Sequence, residues 1–273
     1  MLQNLTLGQF YPGESSIHRL DPRTKLCGAL ALMAVLIWVE TLPLFFFMLT
    51  MVAVLVGVSR IPPHLPLNNL KAFRLILIIT FAAHACFTPG EVVVIAGFTI
   101  PGPTWEGMLQ GAVFCLRLAV IMLIAALLML TTAPLDVSDG IERLLKPLER
   151  FGLPAHDLAM MMVIALRFIP TLVEEADRLQ KAQAARGADF TGNPIRRVRK
   201  MTALLVPLML SAFRRAEELA VAMESRCYRG GTGRTQFRIL TLGRNDYVAI
   251  GAVTILLVLC AAANNIDFIG GLY

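Results

Sequence analysis

Between Leu26 and Val58 the chain is interrupted only by Glu40 and Pro43. A run of that length exceeds the roughly 18 apolar residues that mark a helix crossing a bilayer. It reads as two spans joined by a tight turn near Glu40-Thr41. Asn69 to Thr88 supplies a third span, Gly107 to Thr132 a fourth and Tyr247 to Ala263 a fifth. Two shorter, Pro-containing stretches, Leu158 to Val173 and Met201 to Phe213, fit spans, re-entrant segments or interfacial helices. With 56% hydrophobic residues, the expected fold is all-α: a polytopic membrane protein with about five to seven spanning helices. The first 25 residues are polar, so no cleavable signal peptide is expected and the first span stays as an anchor.

Charge orients the spans. Of 25 Lys and Arg, 18 lie between Arg143 and Arg244. Arg19, Arg23 and Lys25 precede the first span, and Arg60, Lys71 and Arg74 lie between the second span and the apolar body of the third. The turn near Glu40, the segment Pro89 to Glu106 and the tail after Asn264 contain none. The positive-inside rule then puts the N-terminus and a large region after the fourth span in the cytoplasm, and the C-terminus outside. The expected organisation is a cytoplasmic N-terminal segment (1–25), a membrane domain of about four spans (26–133), a cytoplasmic coupling domain (134–244), and a final span with an external tail (245–273). Anionic headgroups account for the basic balance, so the lipid bilayer is the expected partner of these charges. Acidic residues alternate with the basic ones and no aromatic stacking platform accompanies them, which excludes nucleic acid.

Within the 134–244 region, Thr132 to Ser138 reads as a break. Asp139 to Arg150 reads as a short amphipathic helix carrying Ile141, Leu144, Leu145 and Leu148, and Phe151-Gly152-Leu153-Pro154 ends it. From His156 the pattern is helical through Arg186, kinked or divided at Pro170. Gly187 is placed to close that helix in a left-handed cap. Thr191-Gly192-Asn193-Pro194 reads as a turn, Arg196, Arg197, Arg199 and Lys200 as an interfacial anchor. A second helix, kinked near Pro207, leads to Arg226. Gly230, Gly231 and Gly233 then form a loop.

The two helices are repeats. Thr171 falls on Ser211, Ala176 on Ala216, Asp177 on Glu217, Leu179 on Leu219, Ala182 on Ala222 and Arg186 on Arg226, without a gap, at an offset of 40 residues. Leu172, Ala176, Leu179 and Ala182 form a stripe of small and apolar residues on one; Ala212, Ala216, Ala220 and Met223 do so on the other. Small residues let helices approach closely, so the pair is expected to cross in contact. The segments Ala185-Arg186-Gly187 and Ser225-Arg226-Cys227 end the repeats. An arginine at such a tip can take a partner's carboxylate in a bidentate pair, and a duplicated tip points to two similar partners.

Other features carry less. Cys27, Cys86, Cys115, Cys227 and Cys260 have no regular spacing and read as small buried hydrophobes. His84 and Cys86 point to different helix faces, so no metal site is expected there. His18 and Asp21 read as a local structural contact. Arg117, mid-way in the fourth span, is expected to pair within the helix bundle. Gly230-Gly231-Thr232-Gly233-Arg234 lacks the lysine of a phosphate-binding loop, and no nucleophile elbow or acidic cluster is present, so neither catalytic residues nor a cofactor is expected. That argues against a membrane-embedded lipid enzyme. A secondary transporter would show intramembrane acids and a repeat among its spans, whereas this repeat lies outside them.

The opening Gly8-Gln9-Phe10-Tyr11-Pro12-Gly13-Glu14-Ser15-Ser16-Ile17-His18-Arg19-Leu20-Asp21-Pro22-Arg23-Thr24-Lys25-Leu26, the run Arg167-Phe168-Ile169-Pro170 into Ala184-Ala185-Arg186-Gly187, and Ala222-Met223-Glu224-Ser225-Arg226-Cys227-Tyr228-Arg229-Gly230-Gly231 carry a resemblance. The chain resembles, over nearly its whole length, the transmembrane coupling subunit (T component) of energy-coupling factor (ECF) importers of vitamins and metals, particularly the shared-module branch. The resemblance implies a pair of long crossed cytoplasmic coupling helices and two ATP-binding-cassette ATPase subunits, each receiving one arginine tip. It also implies a separate substrate-binding S component, for which Arg117 is an alternative contact. A T component dedicated to cobalt or nickel is the alternative within the family. The second tip departs from the family's Ala-Arg-Gly pattern at Ser225 and Cys227, which leaves the arginine in place, puts the cap geometry in question and suits two non-identical ATPases.

Overall fold

The computed structural model describes residues 10–39, 42–89, 92–95, 98–152, 154–187, 194–230 and 241–270. The expected turn at Glu40-Thr41, most of the turn Thr191-Gly192-Asn193-Pro194 and the loop glycines Gly231 and Gly233 lie outside the described residues. The chain divides into two compact units: Gly8–Gly140 with Leu240–Tyr273, and Ile141–Ile239 with Met1–Leu7.

In the first unit, α1 (Pro22–Trp38) begins at Asp21, whose carboxylate accepts from the Arg23 N–H at 2.9 Å, with Pro22 in the first helical position. Both residues are where a helix start prefers them. Helices α2 (Leu42–Ser59), α3 (His64–Ala72) and α4 (Arg74–Phe87) follow, then a hairpin of β1 (Val92–Ile95) and β2 (Phe98–Thr104), then α5 (Trp105–Thr131). After α6 (Pro134–Leu145), which runs over the boundary between the units, this unit resumes with α9 (Arg244–Gly270). Its larger core cluster joins Leu32, Val35, Leu36 and Val39 of α1, Phe45, Met48 and Val52 of α2, Val120 and Ile124 of α5, and Leu256 and Cys260 of α9, and a smaller one joins Ile61, Leu127 and Leu130. These recur at helical spacing, yet the opposite faces are apolar too; Leu30 and Ile37 are 63% and 64% exposed. Apolar residues on both faces suit a helix with a protein on one side and lipid on the other. Inside a bilayer the buried face gains van der Waals fit rather than removal from water.

Among the described residues, three helices are long and apolar enough to cross a membrane: Trp105–Thr131, Ala155–Ala185 and Arg244–Ala262. The expected third span is a bent pair, α3 and α4, meeting at 59°. With 17 and 18 residues, α1 and α2 sit at the lower bound of a spanning helix. The hairpin was not foreseen, although the β-branched run Val92-Val93-Val94-Ile95 followed by Ala96-Gly97 is a hairpin signal. Helices α4 and α5 pack closely: a Cβ on Gly107 would lie 2.6 Å from the His84 carbonyl oxygen. Thr104 caps α5, accepting from the Gly107 N–H at 3.2 Å and donating to the Thr88 carbonyl at 2.8 Å.

Arg117 does pair within the bundle. Its guanidinium donates to the carbonyls of Val39 at 2.5 Å and Ile37 at 3.4 Å, at the C-terminal end of α1, and lies 5.3 Å from the Phe114 ring centre. Carbonyls at a helix end have no intrahelical donor and carry partial negative charge. A mid-span arginine is therefore the cap that lets α1 stop. Of the cysteines, only Cys260 is buried; Cys27, Cys86 and Cys227 are exposed and Cys115 is half-buried. Burial fails for Cys27 and Cys86 because lipid-facing positions are as apolar as core positions, and for Cys227 because it sits in the cap after α8.

In the second unit, η1, a 3₁₀ turn (Lys146–Phe151), ends at Gly152 with φ of 88°. The break expected over Thr132 to Ser138 is shorter than read, because α6 starts at Pro134, a residue suited to a first helical turn. Helices α7 (Ala155–Ala185) and α8 (Pro194–Ser225) follow and pack against each other. Neither Pro170 nor Pro207 divides its helix.

Candidate functional site

The predicted tips stand at matching ends of matching helices. α7 has 31 residues and α8 has 32, and their last residues, Ala185 and Ser225, are one repeat apart. Arg186 follows as the C-cap with φ of −85° and ψ of 10°, and Gly187 takes φ of 87°. Its N–H donates to the Ala184 carbonyl at 3.0 Å. On α8, Cys227 takes φ of 59°, its N–H donates to Glu224 at 2.9 Å, and the Tyr228 N–H reaches back to Met223 at 3.0 Å. That is the double closure of a Schellman motif, which needs a left-handed residue at the position Cys227 occupies. Ser225 turns its hydroxyl onto the Ala222 carbonyl at 2.9 Å.

The departure at Cys227 therefore leaves the cap geometry intact but places a side chain where glycine is at ease. A left-handed non-glycine residue costs about 1–2 kcal/mol. Cys227→Gly is expected to raise the melting temperature of the protein by about 2–4 °C per kcal/mol recovered, read by thermal unfolding in detergent. A lowered melting temperature would show that the thiol makes a stabilising contact.

Arg186 and Arg226 are both exposed, and among the described residues no ion pair engages either. A free guanidinium on a rigid helix end, with the helix dipole favouring positive charge there, is available to an acidic partner. Ala185, Gly187, Ser225 and Cys227 are exposed as well. The two helices touch as expected, and Arg215 of α8 pairs with Glu175 of α7 at 3.7 Å. From that pair each arginine lies eleven positions onward, about 16 Å of helix at 1.5 Å per residue. The small-residue stripes are covered only in part: Leu172, Ala176, Leu179, Ala212 and Met223 are half-buried, whereas Ala182, Ala216 and Ala220 are exposed. On α7 the covered positions are those nearer the Glu175–Arg215 contact; on α8 they are the two ends of the stripe, Ala212 and Met223.

The opening stretch has a role that residue patterns did not reveal. It ties three helix ends of the first unit together. The Tyr11 N–H donates to the Leu130 carbonyl of α5 at 3.0 Å. Lys25 Nζ donates to the carbonyls of His18 at 2.9 Å and Thr131 at 3.0 Å. The Asp246 carboxylate, buried at 4% exposure, accepts from the Asp21 N–H at 2.7 Å and the Gly243 N–H at 2.8 Å. The second of these bonds is half of a capping box at the start of α9. His18 is a structural residue, but its partners are Ser15 Oγ at 2.7 Å and the Tyr11 carbonyl at 3.1 Å rather than Asp21. Burial holds its pKa below the ordinary histidine value, against the raising effect of the Tyr11 carbonyl, with Lys25 adding to the depression. Lys25, read from sequence as one of several orienting charges, is thus also a staple.

The comparisons with known proteins agree with one another. The family described as cobalt transport protein (CbiQ) matches residues 13–237. A protein of Heliobacterium modesticaldum named energy-coupling factor transporter transmembrane protein EcfT is 46% identical over 264 residues, covering 95% of this chain and 98% of that one. Proteins of the same name from Acidaminococcus fermentans and Bacillus subtilis are 47% identical over 248 residues and 42% identical over 259. Those matches cover 90% and 94% of this chain, and 91% and 97% of theirs. With helices built to cross a membrane and a family match running through both arginine tips, the chain belongs to the energy-coupling factor transporter transmembrane protein (EcfT/CbiQ) family.

Proposed function

We propose that this chain is the non-catalytic coupling subunit of an ATP-driven nutrient importer. Arg186 and Arg226 seat in two ATP-binding-cassette ATPase subunits, which hydrolyse the ATP. Helices α7 and α8 carry the ATPase motion to the membrane part, which moves a separate substrate-binding S component. The observation that carries this reading is the pair of exposed arginines on matching caps, one repeat apart. Coupling requires contacts that differ between the two ATPase states, and a guanidinium at the end of a rigid helix is suited to report such a difference. The cap residues differ, glycine on one side and cysteine on the other, which fits two non-identical ATPases.

In this reading the N-terminus and the coupling part, residues 134–244, are cytoplasmic, residues 26–133 and 245–273 form the membrane part, and the C-terminus is external. The distribution of Lys and Arg supports that orientation. A second reading, a T component dedicated to cobalt or nickel, is favoured by the description of the matching family. The EcfT name of the full-length relatives favours the general importer.

Purification of the chain with co-expressed ATPases tests both. The expected result is co-elution of two different ATPases with more than one small membrane protein, and no ATP turnover by the chain alone. A single metal-specific companion would select the dedicated reading. Turnover by a homogeneous preparation of the chain would overturn the coupling role.

A further inference from the structure

The repeat relating α7 to α8 keeps charge at Asp177/Glu217 and Arg186/Arg226 but inverts it at three other positions. Glu174, Glu175 and Arg178 of α7 fall on Arg214, Arg215 and Glu218 of α8. The ion pair Arg215–Glu175, at 3.7 Å, joins two of these equivalent positions. A contact through equivalent positions sets the same place of each repeat against the other. Identical charges would repel at such a point, and the inversion replaces that repulsion with attraction. Both side chains are partly shielded, at 25% exposure for Glu175 and 38% for Arg215, so the pair is screened less than a fully exposed one.

The inversion also works against sliding. Moving α8 by three positions past the contact sets Glu175 against Glu218, and moving α7 by three sets Arg178 against Arg215, two like-charge pairs. The opposite slip sets Glu175 against Ala212 and Arg215 against Leu172, leaving both charges unmatched. Unfavourable neighbours at each wrong register specify the right one. Arg178 is held near its place by Glu174, 4.0 Å away one turn earlier.

We propose that Glu175 and Arg215 are positioning residues that form the fulcrum of the helix pair. They pin one register while the two equal arms, ending at Arg186 and Arg226, change angle. Sliding at the contact would dissipate tip movement before it reached the membrane part. The proposal rests on the coupling reading above and adds to it a residue pair away from the arginine tips.

The test uses the complete complex, chain with ATPases and S component, in proteoliposomes, and reads nutrient taken up per ATP hydrolysed. Glu175→Arg and Arg215→Glu are each expected to lower that ratio about fivefold, and the double swap to restore it to within about twofold. Assembly with the ATPases stays intact, because Arg186 and Arg226 are untouched. The neutral pair Glu175→Gln with Arg215→Gln removes attraction without adding repulsion, and a ratio about two- to threefold down is expected. A double swap no better than the single variants, or a neutral pair with the wild-type ratio, overturns the fulcrum. Arg186→Glu with Arg226→Glu is run alongside: if it loses the ATPases while Glu175→Arg keeps the wild-type ratio, only the fulcrum falls. If it keeps the ATPases, the coupling reading falls first.

Discussion

Arg186→Glu combined with Arg226→Glu is expected to abolish both co-purification of the ATPases and nutrient uptake. Truncating one partner of a buried charge pair costs about 2–5 kcal/mol, much of it from the charge left unpaired. Reversal adds repulsion between two carboxylates. Two such losses amount to at least about 4 kcal/mol, roughly a thousandfold in affinity. Folding of the chain itself should not suffer, because both side chains are exposed and the caps are made by backbone groups of Gly187, Cys227 and Tyr228. Each single reversal should release one ATPase contact and keep the other. Arg186→Lys is the informative conservative change: it keeps the charge and loses the planar fork, so a partial defect is expected. Affinity of detergent-solubilised chain for the ATPases, measured beside uptake, checks the series. Unchanged uptake with both arginines reversed would remove the coupling role.

Replacing Asp246 by Ala is expected to destabilise the membrane part more than any surface substitution would. The carboxylate is the acceptor for two N–H groups, Asp21 at 2.7 Å and Gly243 at 2.8 Å, from segments far apart in the chain. Removing it leaves the buried Asp21 N–H without a partner, at about 1–3 kcal/mol, and takes the cap from the exposed Gly243 N–H, at about 1 kcal/mol. It also removes a negative charge that acts on Lys25, which is half-buried among Asp21, Asp136 and Asp246. A total of about 2–4 kcal/mol corresponds to a melting temperature lower by on the order of 10 °C. Asp246→Asn keeps one acceptor oxygen, so about half that shift is expected. Thermal unfolding in detergent measures both. A shift below about 2 °C for Asp246→Ala would mean that water replaces the carboxylate, and that the opening stretch is not held by it.

The candidate site was legible because its information is local. A repeat offset, a left-handed cap position and an arginine after the last helical residue are all read from neighbours in sequence. Gly187 announces its conformation by being glycine; Cys227 does so only through its alignment with Gly187, and its φ of 59° had to be seen. The charge inversion at Glu175 and Arg215 is written in the sequence as well, but only the fold brings these equivalent positions into contact. The clamp was not legible. Asp21 and Asp246 are 225 positions apart, and no periodicity connects them.

By itself the sequence determined that the chain is helical and membrane-spanning, and that two similar helices end in arginines, because run length, glycine and proline act locally. It also carried enough family pattern to be recognised through the opening stretch and the two tips. Which face of α1, α2, α5 and α9 turns inward was decided only in three dimensions. A helix apolar on every side carries no moment from which to read its rotation. Packing then selects Leu32, Val35, Leu36 and Val39 for the core and leaves Leu30 and Ile37 outside it. The same holds for Arg117, whose charge signalled importance without naming a partner. Only the fold set it against the open carbonyls of Ile37 and Val39, because an unpaired helix end and an unpaired guanidinium in hydrocarbon each cost too much to be left alone.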